Sequence, residues 1–281
     1  MGEEFPILPN YVIDHIISKD GGMGLVYFGV DVRNGYPVAI KQLYASRARN
    51  PEMVMAFRKE ANNYVYLSHP RITKLVDFVE NGNSCFIVME YLEGQTLESF
   101  IKTRTGPMPD EMVVPMFMQI LETIDYIHNV RTPFSPNGML HLDIKPSNIM
   151  VRDDFSIKVM DMGISATLND HMAVKKVVGT PAYMPPEQAN KGVLGRYTDI
   201  FALGVTLYAM LTACLPFSGE TPQEIWQKIS QNQYPPTYNY YPYVNRGFDP
   251  VIAKALNPDP RQRYQSCADM AMDINKRITI R

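Results

Sequence analysis

The stretch His141-Leu142-Asp143-Ile144-Lys145-Pro146-Ser147-Asn148 packs a carboxylate, an ammonium and an amide into one short loop, which Pro146 keeps from continuing as helix. In such a loop Asp143 can accept the proton of a hydroxyl and Lys145 can neutralise charge on a transferring phosphoryl group. Asn148 can give an oxygen ligand to Mg²⁺. Asp161-Met162-Gly163 follows at short range, after the strand-like run 157–160. Asp161 would add a hard carboxylate ligand, and Gly163 permits an unusual backbone turn. The triplet alone says nothing; its place between the previous loop and Gly179-Thr180-Pro181-Ala182-Tyr183-Met184-Pro185-Pro186-Glu187 makes it informative.

Nearer the N-terminus, Asp20-Gly21-Gly22-Met23-Gly24-Leu25-Val26-Tyr27 lies between two apolar strand-like runs. Gly21, Gly22 and Gly24 would let backbone amides approach an anionic phosphate, although an ordinary hairpin turn has the same composition. Val38-Ala39-Ile40-Lys41 ends an apolar strand on one lysine. A lone lysine there would normally snorkel to the surface. Glu60 is placed to reach it, and a Lys41–Glu60 ion pair would hold the ammonium against the α- and β-phosphates.

The elements that must position these groups change character along the chain. Up to about residue 90, β-branched and aromatic runs alternate with turn signals. One helix starts there: Asn50 can cap, Pro51 suits the first position and Glu52 complements the dipole. Val54, Phe57, Ala61, Tyr64 and Val65 recur at helical spacing, and the pattern predicts an end near His69-Pro70. Beyond a break near Glu90 and Glu93-Gly94 the pattern is mostly helical, with capping signals at Asp110, at Thr221-Pro222 with Glu224, and at Asp249-Pro250. The run 200–211 is apolar nearly all round and reads as a buried central helix. Pro115, inside the helical stretch 110–128, removes a backbone donor with no evident compensation. The Tyr- and Pro-dense stretch 234–243 reads as a rigid surface loop.

With 281 residues, 46% hydrophobic, 20% charged and a net charge of -2, the chain is expected to fold as two lobes sharing a cleft, with no nucleic-acid partner. The three cysteines, Cys85, Cys214 and Cys267, lack metal-ligand spacing and suggest small core residues in a reducing compartment. The opening MGEEFP lacks the order of a signal peptide, and Pro6 stands where a myristoylation motif wants Ser or Thr. No apolar run reaches membrane-spanning length, so a cytoplasmic location without membrane contact by this segment is expected.

Taken in order, these motifs resemble those of eukaryotic-like (Hanks-type) serine/threonine protein kinases, especially bacterial ones, from about residue 11 to 278. The resemblance implies an α+β, bilobal protein kinase fold. A small β-rich N-lobe with one helix would cover residues 1–91 and a larger, mainly helical C-lobe residues 92–281, with ATP between them. It also implies Met89 as gatekeeper, Glu90 to Leu92 as the hinge against adenine, and Val26, Ala39 and Met150 around the ring. Asp199 would brace the catalytic loop, and Glu187 would pair with Arg263. Lys145 and Thr180 match the serine/threonine-specific arrangement. The implied cofactors are ATP and Mg²⁺, with Mn²⁺ as an alternative, and the implied partners are protein substrates bearing Ser or Thr. Autophosphorylation is expected, a homodimer is left open, and relatives often continue into a membrane anchor and sensor region.

The chain departs from that pattern at Lys19, in place of the first loop glycine, and at Leu142, in place of the Arg that clamps an activation-loop phosphate. The second change suggests that a phosphate on Thr167 or a neighbour is not needed to order the site. Met162 for Phe and Phe201 for Trp are apolar exchanges that should keep packing. An insertion over 130–137 reads as a surface excursion. Two other readings share the cleft: a catalytically silent nucleotide- or partner-binding switch, and a small-molecule kinase. Lys41, Asp143, Asn148 and Asp161 together argue against the first, and the stretch 179–187 with Arg263 argues against the second.

Overall fold

The computed structural model describes residues 5–19, 24–81, 84–133, 135–162 and 180–278, together with the backbone of 166–167. Gly21, Gly22, Gly163 and Gly179 lie outside the described residues. The chain divides into two compact units, Met1–Glu93 and Gly94–Arg281.

The first unit runs β1 (Tyr11–Ser18), β2 (Gly24–Asp31), β3 (Pro37–Leu43), α1 (Ala45–Ala48), α2 (Pro51–Val65), β4 (Leu75–Asn81) and β5 (Ser84–Glu90). The strands form an antiparallel five-stranded sheet in the order β1-β2-β3-β5-β4. Successive side chains point to opposite faces, so β3, β4 and β5 feed two clusters. Tyr27, Val38, Ile40, Phe86 and Val88 pack with Leu8 and Tyr11. On the other face Leu43, Cys85 and Ile87 meet Phe57 and Ala61 of α2. Phe57 is fully buried, and burial of a side chain of that size stabilises by about 1.5–3 kcal/mol.

Asn50 does cap α2, its side chain accepting from the Glu52 N–H at 2.9 Å, with Pro51 at the first position. The helix stops at Val65, short of His69-Pro70, where the Tyr66 N–H turns back onto the carbonyls of Asn63 and Tyr64. Val65 is 65% exposed, so the buried apolar stripe of α2 ends at Tyr64.

The second unit runs β6 (Gln95–Thr96), α3 (Leu97–Phe100), a π-helical turn Ile101–Thr105, α4 (Asp110–Asn129), β7 (Met139–Leu140), β8 (Ile149–Val151), β9 (Ile157–Val159), β10 (Ala166–Thr167), α5 (Pro186–Ala189), α6 (Arg196–Thr212), α7 (Pro222–Ser230), α8 (Phe248–Ala255) and α9 (Cys267–Arg277). The apolar run expected to be central lies in α6, which is buried from Thr198 to Thr212. It packs against α4 and α8, and both of these pack against α9. A Cβ on Gly204 would lie 2.7 Å from the Ala255 Cβ, so the close approach of α6 to α8 requires glycine.

Several local expectations need correction. Asp110 is the first residue of α4 rather than its cap, and Pro109 holds the cap position. Pro115 stays within α4; both it and Glu111 are exposed, so the Glu111 carbonyl that loses its partner can be hydrated. α8 starts at Phe248 after Gly247, and Asp249, in its first turn, accepts from the Thr237 hydroxyl at 2.7 Å. The insertion is not a plain surface excursion, because Thr132 and Ser135 are buried and exchange backbone hydrogen bonds. Cys85 and Cys267 are buried, but Cys214, just past the left-handed Ala213 that ends α6, is only partly so. The stretch 234–243 is anchored to α6, Tyr234 packing edge-on against Tyr208 and Phe217, while Tyr243 stays exposed. Among the described residues no helix is long and apolar enough to cross a membrane.

One buried ion pair ties α5 to the loop before α9. Arg263 forks onto Glu187 with N–O distances of 2.7 and 3.0 Å and donates to the carbonyls of Asn257 and Tyr197. Its guanidinium also lies over the Phe201 ring. Removing one partner of such a pair leaves the other charge buried and unpaired. Arg263→Met should therefore lower stability by about 3–5 kcal/mol. Urea unfolding checks this: the midpoint should fall with an unchanged slope, and a midpoint close to that of the parent would contradict the role given to the pair.

Candidate active site

In the first unit the sheet sets the direction of every candidate. Val26 sits opposite Lys41, Lys41 opposite Ile87, and Ala39 opposite Met89. Directly paired residues share a face, so Val26, Ala39, Lys41 and Met89 point the same way. Val26, Ala39 and Met89 are only partly buried, which leaves an apolar surface beside the ammonium. Glu60 lies one turn beyond Phe57 on α2, and docking of Phe57 on the sheet carries it to Lys41. The Lys41 Nζ is 2.7 Å from Glu60 Oε1, with side chains 8% and 1% exposed. A pair this deep is held by its mutual attraction, since either charge alone would carry a large desolvation cost.

Gly24 has a reason of its own. It pairs with Leu43, and a Cβ there would run into the Gln42 carbonyl, so the sheet itself demands glycine. The Lys19 carbonyl accepts from the Tyr44 hydroxyl at 2.6 Å. Glu90 accepts from the Lys74 N–H at 2.8 Å through its carboxylate, and its own N–H donates back to the Lys74 carbonyl. Leu92 is partly buried in the segment after β5.

In the second unit the loop that follows β7 is organised by one carboxylate. Asp199 is fully buried on α6 and accepts 2.8 Å bonds from the backbone N–H groups of His141 and Leu142 and from His128 Nε2. Burial alone would raise its pKa; the hydrogen bonds from the His128 ring and the His141 backbone N–H help to outweigh that and hold it below the usual carboxylate range. Leu142 has φ 64°, a left-handed conformation that costs a non-glycine residue about 1–2 kcal/mol. The bonds to Asp199 hold it there.

The left-handed turn delivers Asp143. Its carboxylate accepts from Lys145 Nζ at 3.1 and 2.9 Å and from Asn148 Nδ2 at 2.9 Å. Lys145 also reaches the Thr180 hydroxyl at 3.4 Å. Asn148 donates through the same amide nitrogen to the Asp143 carbonyl, which leaves its Oδ1 outside these bonds. The β8–β9 hairpin sets Ile149 opposite Val159, and the Met160 N–H donates to the Asn148 carbonyl. Asn148 and Asp161 therefore leave the hairpin at the same end. His141 adds a second tie: its Nδ1 accepts from the Asp143 N–H and its Nε2 faces the Met160 carbonyl, both at 3.3 Å, which fits the Nε2–H tautomer. Asp161 takes φ 59°, a conformation that Asp tolerates better than most residues. Met150, on β8 opposite Lys158, is partly exposed.

The oxygens of Asn148 and Asp161 are hard donors and fit Mg²⁺, which uses one or two protein ligands and completes its octahedron with phosphate and water. Among the described residues no group of three His, Cys, Asp or Glu could hold a metal ion. Met162 and Phe201 are both fully buried, and Phe201 stacks on Phe217, so these exchanges do preserve packing. Leu142 is buried too and lines a small cavity with Thr180, Tyr183, Met184 and Gln188.

Sequence reasoning missed His128 and Gln188, and read Cys267 as a core residue without its polar neighbour. Gln188 donates to the Leu142 carbonyl at 3.4 Å, and Cys267 Sγ lies 3.8 Å from His128 Nδ1. For His128 a signal existed: it continues the buried stripe Ile120, Ile124, Ile127 at helical spacing, and a histidine there needs polar partners.

Comparison with known proteins agrees with this geometry. Residues 16–274 match the protein kinase domain. The chain is 35% identical over 262 residues to the serine/threonine-protein kinase PknB of Mycobacterium leprae, covering 90% of this chain and 41% of that protein. It is 36% identical over 256 residues to the serine/threonine-protein kinase PrkC of Bacillus subtilis, covering 90% and 38%. A probable serine/threonine-protein kinase, SCO3848 of Streptomyces coelicolor, is 34% identical over 273 residues, covering 94% and 39%. The chain thus spans about two fifths of the length of these curated relatives. A domain match that takes in nearly the whole chain, over a fold with a helix-borne Glu60 on Lys41 and a loop braced by Asp199, places this chain in the protein kinase domain family.

Proposed function

We propose that this chain is the catalytic domain of a serine/threonine protein kinase that transfers the γ-phosphoryl group of ATP to Ser or Thr hydroxyls of proteins, itself among them. The observation that carries the reading is the Asp143 carboxylate, fixed by Lys145 and Asn148 beside Thr180. Fixed in this way, Asp143 orients a substrate hydroxyl and takes its proton as the oxygen attacks phosphorus. Lys145 offsets charge on the phosphoryl oxygens, and its contact to Thr180 links that charge to the segment against which a peptide would lie. Lys41, aimed by Glu60, neutralises the α- and β-phosphates, while Val26, Ala39, Met89 and Met150 supply apolar surface for adenine and Glu90 to Leu92 its hydrogen bonds. Gly21, Gly22 and Gly24 belong to the phosphate loop. Asn148 and Asp161 would hold Mg²⁺, or Mn²⁺ in its place, which supplies charge neutralisation of the bound phosphates.

Leu142 bears on regulation. Its apolar side chain, together with the Gln188 bond to its carbonyl and the Lys145 contact to Thr180, connects the catalytic loop to 180–188 without an arginine. A loop phosphate on Thr167 or a neighbour is then not required to order this part of the site.

Incubation with a generic basic protein and Mg²⁺-ATP, read by mass spectrometry, should show phosphate on Ser and Thr of that protein and of the chain itself. Asp143→Asn should lower the rate by about 100-fold or more. If that variant transfers phosphate as fast as the parent, Asp143 does not have this role; if neither variant nor parent transfers any, the domain is a switch rather than an enzyme. Chelation by EDTA should stop transfer and added Mg²⁺ restore it, whereas transfer that persists in EDTA would exclude the role given to Asn148 and Asp161. Phosphatase-treated and autophosphorylated protein should have similar kcat; a many-fold gain from a loop phosphate would defeat the inference from Leu142.

A further inference from the structure

The kinase reading leaves the buried thiol beside the Asp199 brace without a task. Cys267 opens α9, 1% exposed, and Ser266 fixes its place by capping that helix onto the Asp269 N–H at 3.1 Å. Its Sγ lies 3.8 Å from Nδ1 of His128 on α4, whose Nε2 lies 2.8 Å from Oδ2 of Asp199 on α6. Three packed helices each give one member, and the last member holds the N–H groups of His141 and Leu142.

We propose that Cys267 is a positioning residue for the catalytic loop, its thiol selecting through His128 the hydrogen-bond arrangement at Asp199 that holds Leu142 left-handed. A neutral imidazole has one N–H and one lone pair. With the proton on Nδ1, the Nε2 lone pair would face the Asp199 carboxylate, a repulsive contact in a dry interior. With the proton on Nε2, Asp199 gains a donor, and the Nδ1 lone pair needs one in turn. The Cys267 S–H is the donor the structure sets there. Burial, with Asp125 and Asp199 adding to it against Arg196, pushes the thiol far above its ordinary pKa, so it keeps the proton it must donate. The Arg196 guanidinium meanwhile bonds the His128 carbonyl and Asn129 Oδ1, which pins the end of α4 from the outside.

The functional consequence rests on the kinase reading, whereas the geometry does not, and the test separates the two. The parent chain, Cys267→Ser and Cys267→Ala are compared by ¹⁵N NMR of labelled histidine, by hydrogen exchange of the His141 and Leu142 amides, and by kcat and KM for ATP. The parent and the serine variant should show His128 protonated on Nε2 and slow amide exchange. In the alanine variant exchange should quicken tenfold or more, and kcat should fall several-fold at an unchanged KM, with serine restoring most of both. Equal exchange and kcat in all three proteins would overturn the proposal, as would equal defects in serine and alanine, which would mean packing alone. If the alanine variant does not fold, the parent spectrum still decides: a His128 proton on Nδ1 refutes the assignment. Should the parent transfer no phosphate, exchange and tautomer still report on Cys267, and the failure belongs to the kinase reading.

Discussion

The arrangement of the second unit depends on one buried carboxylate. Asp199 on α6 has no access to solvent, and an isolated charge there would be costly. It is tolerated because the N–H groups of His141 and Leu142 and the His128 imidazole all point at it. The same bonds run the other way as a constraint. They hold Leu142 in a conformation its side chain disfavours, and that turn sends the Asp143 carboxylate to Lys145 and Asn148 instead of into the core. Local strain of this kind persists only where surroundings over-determine it, and here they do.

From that anchor the polar groups follow by short covalent steps. Asn148 precedes β8 and Asp161 lies two residues beyond β9, so a hairpin register fixes their neighbourhood without any contact between their side chains being needed. His141 ties the start of the loop to Met160, next to Asp161. The first unit solves a separate problem by simpler means. Strand alternation aims Lys41, and the apolar stripe of α2 brings Glu60 to it. In both units hydrogen bonds and strand register place the charges, which suits the proposed phosphoryl transfer, a reaction governed by positioning and electrostatics.

What could be read from the residues alone was what short-range physics dictates. Asn50 with Pro51 announced α2, the uninterrupted apolar run of α6 announced a central helix, and the loop 141–148 carried its chemistry in its composition. Helix ends were read less well. The stop at Val65 coincides with the loss of burial after Tyr64, which is a tertiary fact, and Asp110 looked like a cap because cap and first-turn positions favour the same residues. Cys267 and His128 were invisible as partners because they lie on different helices, joined only by packing of α9 on α4. Gly24 was read for phosphate approach, yet its immediate demand is the Gln42 carbonyl across the sheet.

The proposed kinase activity requires Lys41, Asn148 and Asp161 to engage one nucleotide and its divalent ion. The most direct measurement is a crystal structure of the chain with Mg²⁺ and a nonhydrolysable ATP analogue. The account predicts Asn148 Oδ1 and an Asp161 carboxylate oxygen about 2.0–2.1 Å from the metal, with the Lys41 ammonium on the α- and β-phosphates. An analogue bound elsewhere, or bound with Lys41, Asn148 and Asp161 all disengaged from phosphate and metal, would contradict it.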